Sequence, residues 1–581
     1  NFRTGAFTID VTDMELGSGE YPYRVGFGRS YNSSKRLQSG PLGLGWKHSW
    51  MSTVSVGSDV SKGLGSESPI DGALSIAEMF VTLDMLSDAA LPVDKMGIVA
   101  LCHQWWTDQM TGNIVTVSLP EADYAFTKLA DGTYNPRPDD ASTLTLSGGL
   151  YTHKTPQKVT SNFNSSGQLA TVVFPEGVTI TLSYTAGGLT SVSNGLSRTL
   201  TLNYTAGKLT SVTDGTGRSI SYTVDGSDNL VTYVDANAKS ITYQYGLAGQ
   251  MTKFFLPANP AVAFITNSYD SLNRVMTQAN ARGQVSNFYF AGSRSEVTDP
   301  LLNKEVTYWN NLGNAVREID PLGFATTYQI DGRGRITKKT MPEGNSVQYV
   351  LDSNNNPLSV TQIAKSGSGL ANIVENFTYD PLWAKVQTYQ DGRGNTTTFS
   401  WDAVTGKLLT VSRPAIGGLT PKLTNKWNSR GQLLSAIDES GVQTQFIYDA
   451  ATEKLLSKIV NTNWRCTVGG TVTVGNVATI NVNDAGLPGG TKAKSYTVIA
   501  GDTLAKIATG LANAVNGDSQ LAALGIVAYV NAAVVSLSTS PGNATTFTGS
   551  TSGGATVTLT LAAGLNLTSS YGYDSVGNVN A

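Results

Sequence analysis

The stretch Val178-Thr-Ile-Thr-Leu-Ser-Tyr184-Thr-Ala-Gly-Gly-Leu-Thr-Ser-Val192 decides the fold. Val178, Ile180, Leu182 and Tyr184 are apolar and Thr179, Thr181 and Ser183 between them are polar, a period of two that means a strand with one buried face. The strand runs into the turn Ala186-Gly187-Gly188 and returns through the apolar run Leu189 to Val192. Further along the chain the pattern repeats. Leu200, Leu202 and Tyr204 alternate, Ala206-Gly207-Lys208 turns, Leu209 to Val212 returns, and Ile220 and Tyr222 begin again. These are hairpins in series.

Aromatic markers extend the series through Tyr184, Tyr204, Tyr222, Tyr243, Phe288, Tyr308, Tyr328 and Tyr349, mostly about twenty residues apart, the range of repeat arrays. One hairpin cannot bury its apolar face alone. Neighbours must stack edge to edge, and the sheet must curl or close to hide its edges. The 581 residues include 61 Gly and 24 Tyr with only 14% charged side chains, a composition of turns and aromatic strand positions poor in helix-forming Glu and Lys.

Composition also excludes function classes. The formal net charge of -3 provides no basic field for phosphates, so nucleic acid is not an expected partner. Cys102 and Cys466, the two cysteines, lie too far apart for a disulfide framework or a Cys-rich zinc site. They are two free thiols or one long-range bridge, and free thiols are favoured. No run approaches the roughly 18 to 20 apolar residues of a membrane-spanning helix. The chain opens at Asn1 without an initiator Met or leader and closes at Ala581, just after Tyr573-Asp574-Ser-Val-Gly577. Both ends read as cut from something longer.

Tyr269-Asp270-Ser-Leu-Asn-Arg, Asp331-Gly-Arg-Gly334-Arg335, Tyr379-Asp380, Trp401-Asp402 with Gly406, Tyr448-Asp449 and Tyr573-Asp574 with Gly577 resemble the YD repeat of RHS-type proteins, a group that includes bacterial shells and teneurin and toxin-complex chains. Arg24 to Tyr31, Asn32-Ser33 and Gly40-Pro-Leu-Gly43-Leu-Gly45-Trp46-Lys-His48-Ser resemble the segment that precedes such repeats. The resemblance covers residues 1–57, 113–465 and the last dozen. It implies a mainly β chain whose hairpin array spirals into a hollow shell or barrel. At Tyr349-Val-Leu-Asp352 the Tyr and Asp are separated, and the register there is open.

Two segments break the pattern. Over 58–112 the spacing becomes helical: Ile76, Met79, Phe80, Leu83 and Leu86 share one face, and after Pro92 Ile98, Val99, Cys102, Trp105 and Trp106 share another. This predicts a small helical insert, an amphipathic hairpin covering the open end of the shell in preference to a plug or interaction face. From 466 to 567 the aromatics nearly vanish and a Gly/Thr-rich α/β module is inserted, expected to project from the wall. In it Ser495-Tyr-Thr-Val498-Ile-Ala-Gly501-Asp502-Thr503-Leu504 predicts a strand, a cap at Asp502 or Thr503, and a helix to about Val515. That string resembles the opening of a LysM motif, and resembles more closely small modules of phage-tail and bacterial surface proteins, which implies glycan binding or self-association through 466–567. The repeat resumes over 568–581.

No catalytic constellation emerges. His48, His103 and His153 are scattered without His-Glu-x-x-His spacing, and a Walker loop and a Gly-x-Ser-x-Gly elbow are absent. Asp391-Gly-Arg-Gly394-Asn395 reads as a hairpin turn, not a phosphate cradle. Asp299-Pro300-Leu301-Leu302 and Asp320-Pro321-Leu322-Gly323-Phe324 superficially resemble the paired Asp-Pro-x-Gly elements of aspartyl self-cleavage in RHS-type proteins, but the first lacks the Gly, so both read as turns. The sequons at Asn203 and Asn376 carry little meaning in a bacterial chain. The expectation is a non-enzymatic shell without cofactor, metal or catalytic residues, secreted or at the cell surface, that encloses or presents a C-terminal toxin. The alternative is an extracellular structural or adhesive protein forming a sheath, filament or surface layer.

Overall fold

A serial hairpin needs turns that match the right-handed twist of its strands, and two turn designs supply them. In the first, Thr205 pairs with Lys208 across Ala206 and Gly207, both at positive φ (49° and 76°), a two-residue type I′ connection. In the second, an Asp closes a five-residue turn. The Asp270 amide donates to Arg274 O at 2.9 Å and the Asn273 amide to Asp270 O at 3.0 Å, with Asn273 at φ 61°. The fourth position takes Gly in Asp331–Arg335 and Asp391–Asn395, at φ 76° and 83°, because a left-handed backbone strains any residue with a Cβ. The Asp270 and Asp331 turns each follow a one-residue register shift in the ladder, between Ser268 and Tyr269 and between Gln329 and Ile330.

The computed structural model describes residues 1–16, 25–87, 93–119, 122–175, 177–195, 198–415, 420–429, 431–450, 454–539 and 544–572. Arg24, Pro92 and the resumed repeat at Tyr573, Asp574 and Gly577 lie outside the described residues. The chain divides into two compact units, one of Asn1–Leu16 with Arg24–Phe377 and one of Gly17–Tyr23 with Thr378–Ala581.

The first unit is an antiparallel array in which each strand from Thr143–Ser147 to Pro357–Ile363 pairs with the next in chain order. Leu182 faces Val192 and Leu202 faces Val212, the register the alternation required. At the separated motif Tyr349 pairs with Val360 and Leu351 with Pro357, so Leu351 holds the position before the turn Asp and the ladder keeps its pattern. Ahead of the array stand a three-stranded sheet of Thr8–Leu16, Val25–Asn32 and Trp46–His48 and a four-stranded one of Thr53–Gly57, Ile114–Ser118, Asp123–Lys128 and Tyr134–Pro136. Their apolar faces pack with array residues such as Ile180, Leu200, Leu209 and Ile220 into one core. Beyond Met251 the strands of this unit alternate between half-buried and exposed, with few buried apolar side chains, Val275 and Val306 among them.

In the second unit the same hairpins run from Val386–Gln390 to Leu455–Val460, and the last of these pairs with Leu567–Ser570. Residues 464–562 are therefore looped out between two neighbouring strands. They form two sheets, Val527–Asn531, Val534–Ser538, Trp464–Gly470 and Val557–Ala562 in one, and Thr491–Thr497, Val477–Asn483 and Thr546–Thr551 in the other. Helix Leu504–Asn516 starts on Thr503, whose hydroxyl accepts from the Lys506 amide at 3.3 Å. It buries Ile507, Ala508, Leu511, Ala512 and Val515 in a core of the module's own, with Cys466, Ile480 and Phe547.

The mainly β array with a small helical part is as the sequence led us to expect. One expectation is corrected. Helices Ala73–Leu86 and Val93–Met110 form a hairpin, but the face expected to be covered, with Ile76, Met79, Phe80, Leu83 and Leu86, is exposed. The side chains withdrawn from solvent are Leu74, Ser75, Glu78, Thr82 and Met85 on one helix and Lys95, Val99, Cys102, Trp106, Gln109 and Met110 on the other. The first helix is apolar nearly all round, so periodicity alone does not choose its face. Specific bonds choose it: Trp106 Nε1 donates to Ser75 Oγ at 2.9 Å, and His103 Nδ1 lies 3.3 Å from Glu78 Oε1. Cys102 and Cys466 are free thiols, and burial pushes the Cys466 thiol up to about 12.

Leu302 occupies the left-handed turn position at φ 67° with an exposed side chain. Leu302→Gly is expected to stabilise the protein by about 1 kcal/mol, the cost of a left-handed L-residue, less the added entropy of the unfolded chain. A lower melting temperature for the variant in calorimetry would refute this reading of the turn.

Candidate functional site

The Tyr-Asp motif is a two-part clasp. Its Asp works within the turn: Asp270 Oδ1 accepts from the Leu272 and Arg274 amides, both at 2.9 Å, and Oδ2 from Arg274 Nε at 2.8 Å. Burial works against the charge, but the donors of Arg274 and Leu272 outweigh it and hold the carboxyl below its ordinary value. Asp331 repeats this with Arg333 and Arg335. The aromatic half reaches the neighbouring strand. The ladder between successive hairpins ends at Thr232↔Thr242, and beyond it Tyr245 Oη donates to Leu230 O at 2.8 Å. Tyr184 does the same to Leu169 O at 2.9 Å, Tyr269 to Met251 O at 2.5 Å and Tyr448 to Leu433 O at 3.1 Å. Where Trp stands for Tyr, the indole substitutes for the phenol, as Trp401 Nε1 donates to Val386 O at 2.9 Å.

The three-stranded sheet of the first 48 residues is locked onto this array by a buried cation. Arg29 lies on the face of strand Val25–Asn32 that otherwise carries Val25, Phe27 and Tyr31, all buried. Its Nε meets both Asp13 oxygens at 3.2 and 3.0 Å, and its Nη1 donates to Tyr243 Oη at 2.6 Å. The guanidinium carbon lies 4.0 Å from the ring centre of Tyr233, with Trp46, Tyr222 and Tyr243 around it. Burial raises the Asp13 carboxyl to about 6, offset only in part by Arg29 and the Tyr222 hydroxyl. Tyr31 Oη donates to Gly249 O at 2.7 Å and accepts from the Met251 amide, and Trp46 Nε1 donates to Tyr245 Oη at 2.9 Å, so the sheet also engages a clasp tyrosine. The sequence reading missed this anchor. Its signal was there: a charged residue in register with Val25, Phe27 and Tyr31 on an otherwise apolar strand face.

On the opposite face of that sheet Asp10, Ser30 and Lys47 stand in one cross-strand row at the floor of a cavity of about 620 Å³. Lys35 and Asp123, 3.6 Å apart, stand at its wall. Two amines face two carboxylates, and the cavity has no net preference for an anion.

The residues weighed as chemistry in the sequence are dispersed. His48 is buried with Nδ1 accepting from the Trp50 amide at 3.2 Å, and burial lowers its pKa to about 3. His153 is buried between Tyr124 and Phe126 with neither ring nitrogen bonded, and His103 is exposed on the helical hairpin. Asp299 and Asp320 are turn caps, each Oδ1 accepting two amides, from Leu301 and Asn303 and from Leu322 and Phe324. Asp391 caps its turn through the Arg393 and Asn395 amides. Among the described residues no group of three or more His, Cys, Asp or Glu side chains could hold a metal ion, and no helix is long and apolar enough to cross a membrane.

Residues 1–64 match the family model described as a domain of unknown function, DUF6531. Over 151 residues the chain is 28% identical to the double-stranded DNA deaminase toxin A of Burkholderia cenocepacia (strain H111), a match covering 26% of this chain and 8% of that protein. Among solved structures it is similar to the TcdB2–TccC3 crystal structure, at 11% identity and a TM-score of 0.39 over 74% of this chain and 26% of that one. It is also similar to the Photorhabdus luminescens Tc holotoxin pore with a TccC3 mutation, at 11% identity and a TM-score of 0.40 over 84% of this chain and 31% of that one. The chain thus spans under a third of the length of each. The RHS/YD resemblance drawn from the Tyr-Asp motifs stands with the matches to the family model and to the toxin.

Two outcomes are expected from the anchor. Arg29→Met should destabilise the first unit by about 3–5 kcal/mol, the cost of stranding a buried partner charge, and adding Asp13→Asn should restore much of the loss; equal losses in the single and double variants in urea unfolding would contradict the pairing. For His153 burial lowers the pKa below the unfolded value of 6.5, so its contribution is complete above that value and is lost as pH falls through and below it. His153→Phe should therefore flatten the acid side of a stability profile between pH 7 and 5, and an unchanged slope would remove His153 from the account.

Proposed function

We propose that this chain forms the wall of an RHS-type container: a non-catalytic β-shell that encloses or presents an effector carried elsewhere in the full-length protein, and that acts outside the cell that makes it. The observation that carries this reading is the serial clasp. Within each unit successive hairpins are joined by backbone ladder, and many add a Tyr or Trp donor and an Asp-capped turn, an arrangement that spends its polar groups on building a wall. The match of the first 64 residues and the identity with part of a toxin support the same reading. The carboxylates and histidines that could have served chemistry are used in turns and cores, which supports a structural role. No feature of the described residues favours the adhesive alternative.

The test is electron microscopy of the full-length native protein combined with limited proteolysis. Discrete hollow particles, with the polypeptide outside this region resistant to protease until the wall is denatured, are expected. Fibres or sheets of material, or a neighbouring segment digested as fast as a free peptide, would overturn the container.

A further inference from the structure

The helical hairpin Ala73–Met110 turns its apolar residues outward. Ile76, Phe80 and Leu83 on the first helix are 57%, 76% and 63% exposed, and Val93, Met96 and Leu101 on the second are 85%, 55% and 73% exposed. Leu101 stands with Ile98 and Trp105 on the far side of the hairpin; on the side of Ile76 the exposed apolar side chains, with Met79, Leu86, Val93 and Met96, sum to roughly 800 Å² of open surface, taking about 180 Å² for each large side chain fully exposed. A monomer leaves a patch of about 300–600 Å² uncovered, whereas a stable complex covers about 800 Å² per partner. The surface is large enough for a specific interface.

Its spacing says what kind. Ile76, Met79, Leu83 and Leu86 are separated by three, four and three residues, and Ile98, Leu101 and Trp105 by three and four. That is the rhythm of positions that seat a second helix. The seam inside the hairpin, Ser75, Glu78, Thr82 and Met85, has the same rhythm one residue earlier, so each helix carries two packing faces and uses one. A lipid surface does not suit the helices, because Glu78, Asp84, Asp94 and Asp108 outnumber Lys95 and would meet anionic headgroups with like charge. The face of Ile76, Met79, Phe80 and Leu83, with Val93 and Met96 beside it, can meet its own copy about a two-fold axis, which brings four helices together.

We propose that the occupant is a second copy of this chain, the two hairpins joining face to face as a four-helix bundle. This goes beyond the container reading and does not depend on it, since a wall can be built by a monomer or a dimer.

The experiment is sedimentation of the full chain over a concentration series. A reversible monomer–dimer equilibrium is expected, and Phe80→Glu with Leu83→Glu should weaken it by about 100-fold or more, as hot-spot truncations do. Because both side chains are exposed, circular dichroism and the melting profile should be unchanged. Met96→Glu on the other helix should weaken association independently, Leu101→Glu on the far side should leave it unchanged, and Phe80→Leu should retain it. A chain that stays monomeric at its highest soluble concentration, a dimer unaffected by the Glu substitutions at Phe80, Leu83 and Met96, or a monomer that co-sediments with neutral phosphatidylcholine vesicles would each overturn the proposal.

Discussion

The constraint beneath this structure is the open edge of a β-hairpin. Two strands satisfy each other on one side only, and the row of amides and carbonyls on the other side must find a partner or remain a liability. Within each unit the partner is mostly the next hairpin, and the ladder joining them can be short: three residue pairs connect Leu230–Val234 to Ser240–Tyr245. What extends the contact past the ladder is a side chain, the phenol of Tyr245 on Leu230 O. The motif residue that looks like a hydrophobic marker in the sequence is here also a hydrogen-bond donor, and replacing Tyr245 with Phe would keep the packing and lose the bond.

The N-terminal sheet solves a different problem. Over roughly the first third of the array a second layer is needed to bury Leu200, Leu209, Val212 and Ile220, and residues 1–50 with the four-stranded sheet supply part of it. A purely apolar contact would leave the sheet free to slide along a surface that repeats every twenty residues or so. Arg29 removes that freedom, because Asp13, Tyr222, Tyr233 and Tyr243 converge on it in one register only. The buried ion pair adds little net stability of its own and fixes position instead, the use for which such pairs are best attested.

The alternation at Val178 to Val192 made the strands, turns and register of the array legible in the sequence, because a period of two with one buried face admits no other pairing. The Asp-capped turns were legible too, since Asp, Gly and Asn at fixed offsets each have one physical job there. The face of the helical hairpin was not: in Ala73–Leu86 nearly every position is apolar, and the choice was made by Ser75 and Glu78, two polar residues whose partners lie about thirty positions away. The anchor escaped for a similar reason. Arg29 is visible as an oddity in a strand, but its five neighbours come from five separate strands, and only the fold brings them together.

From Val285 to Ile363 the strands of the first unit carry side chains that alternate between half-buried and exposed. A one-sheet partition behaves unlike a packed domain under load. It is stiff along its strands, where covalent chain bears tension, and compliant across them, where only ladder bonds and clasps resist. Deformation in this part of the molecule should spread between repeats as gentle bending, sparing any one hinge, and a lost residue contact should soften its own hairpin while leaving distant ones intact.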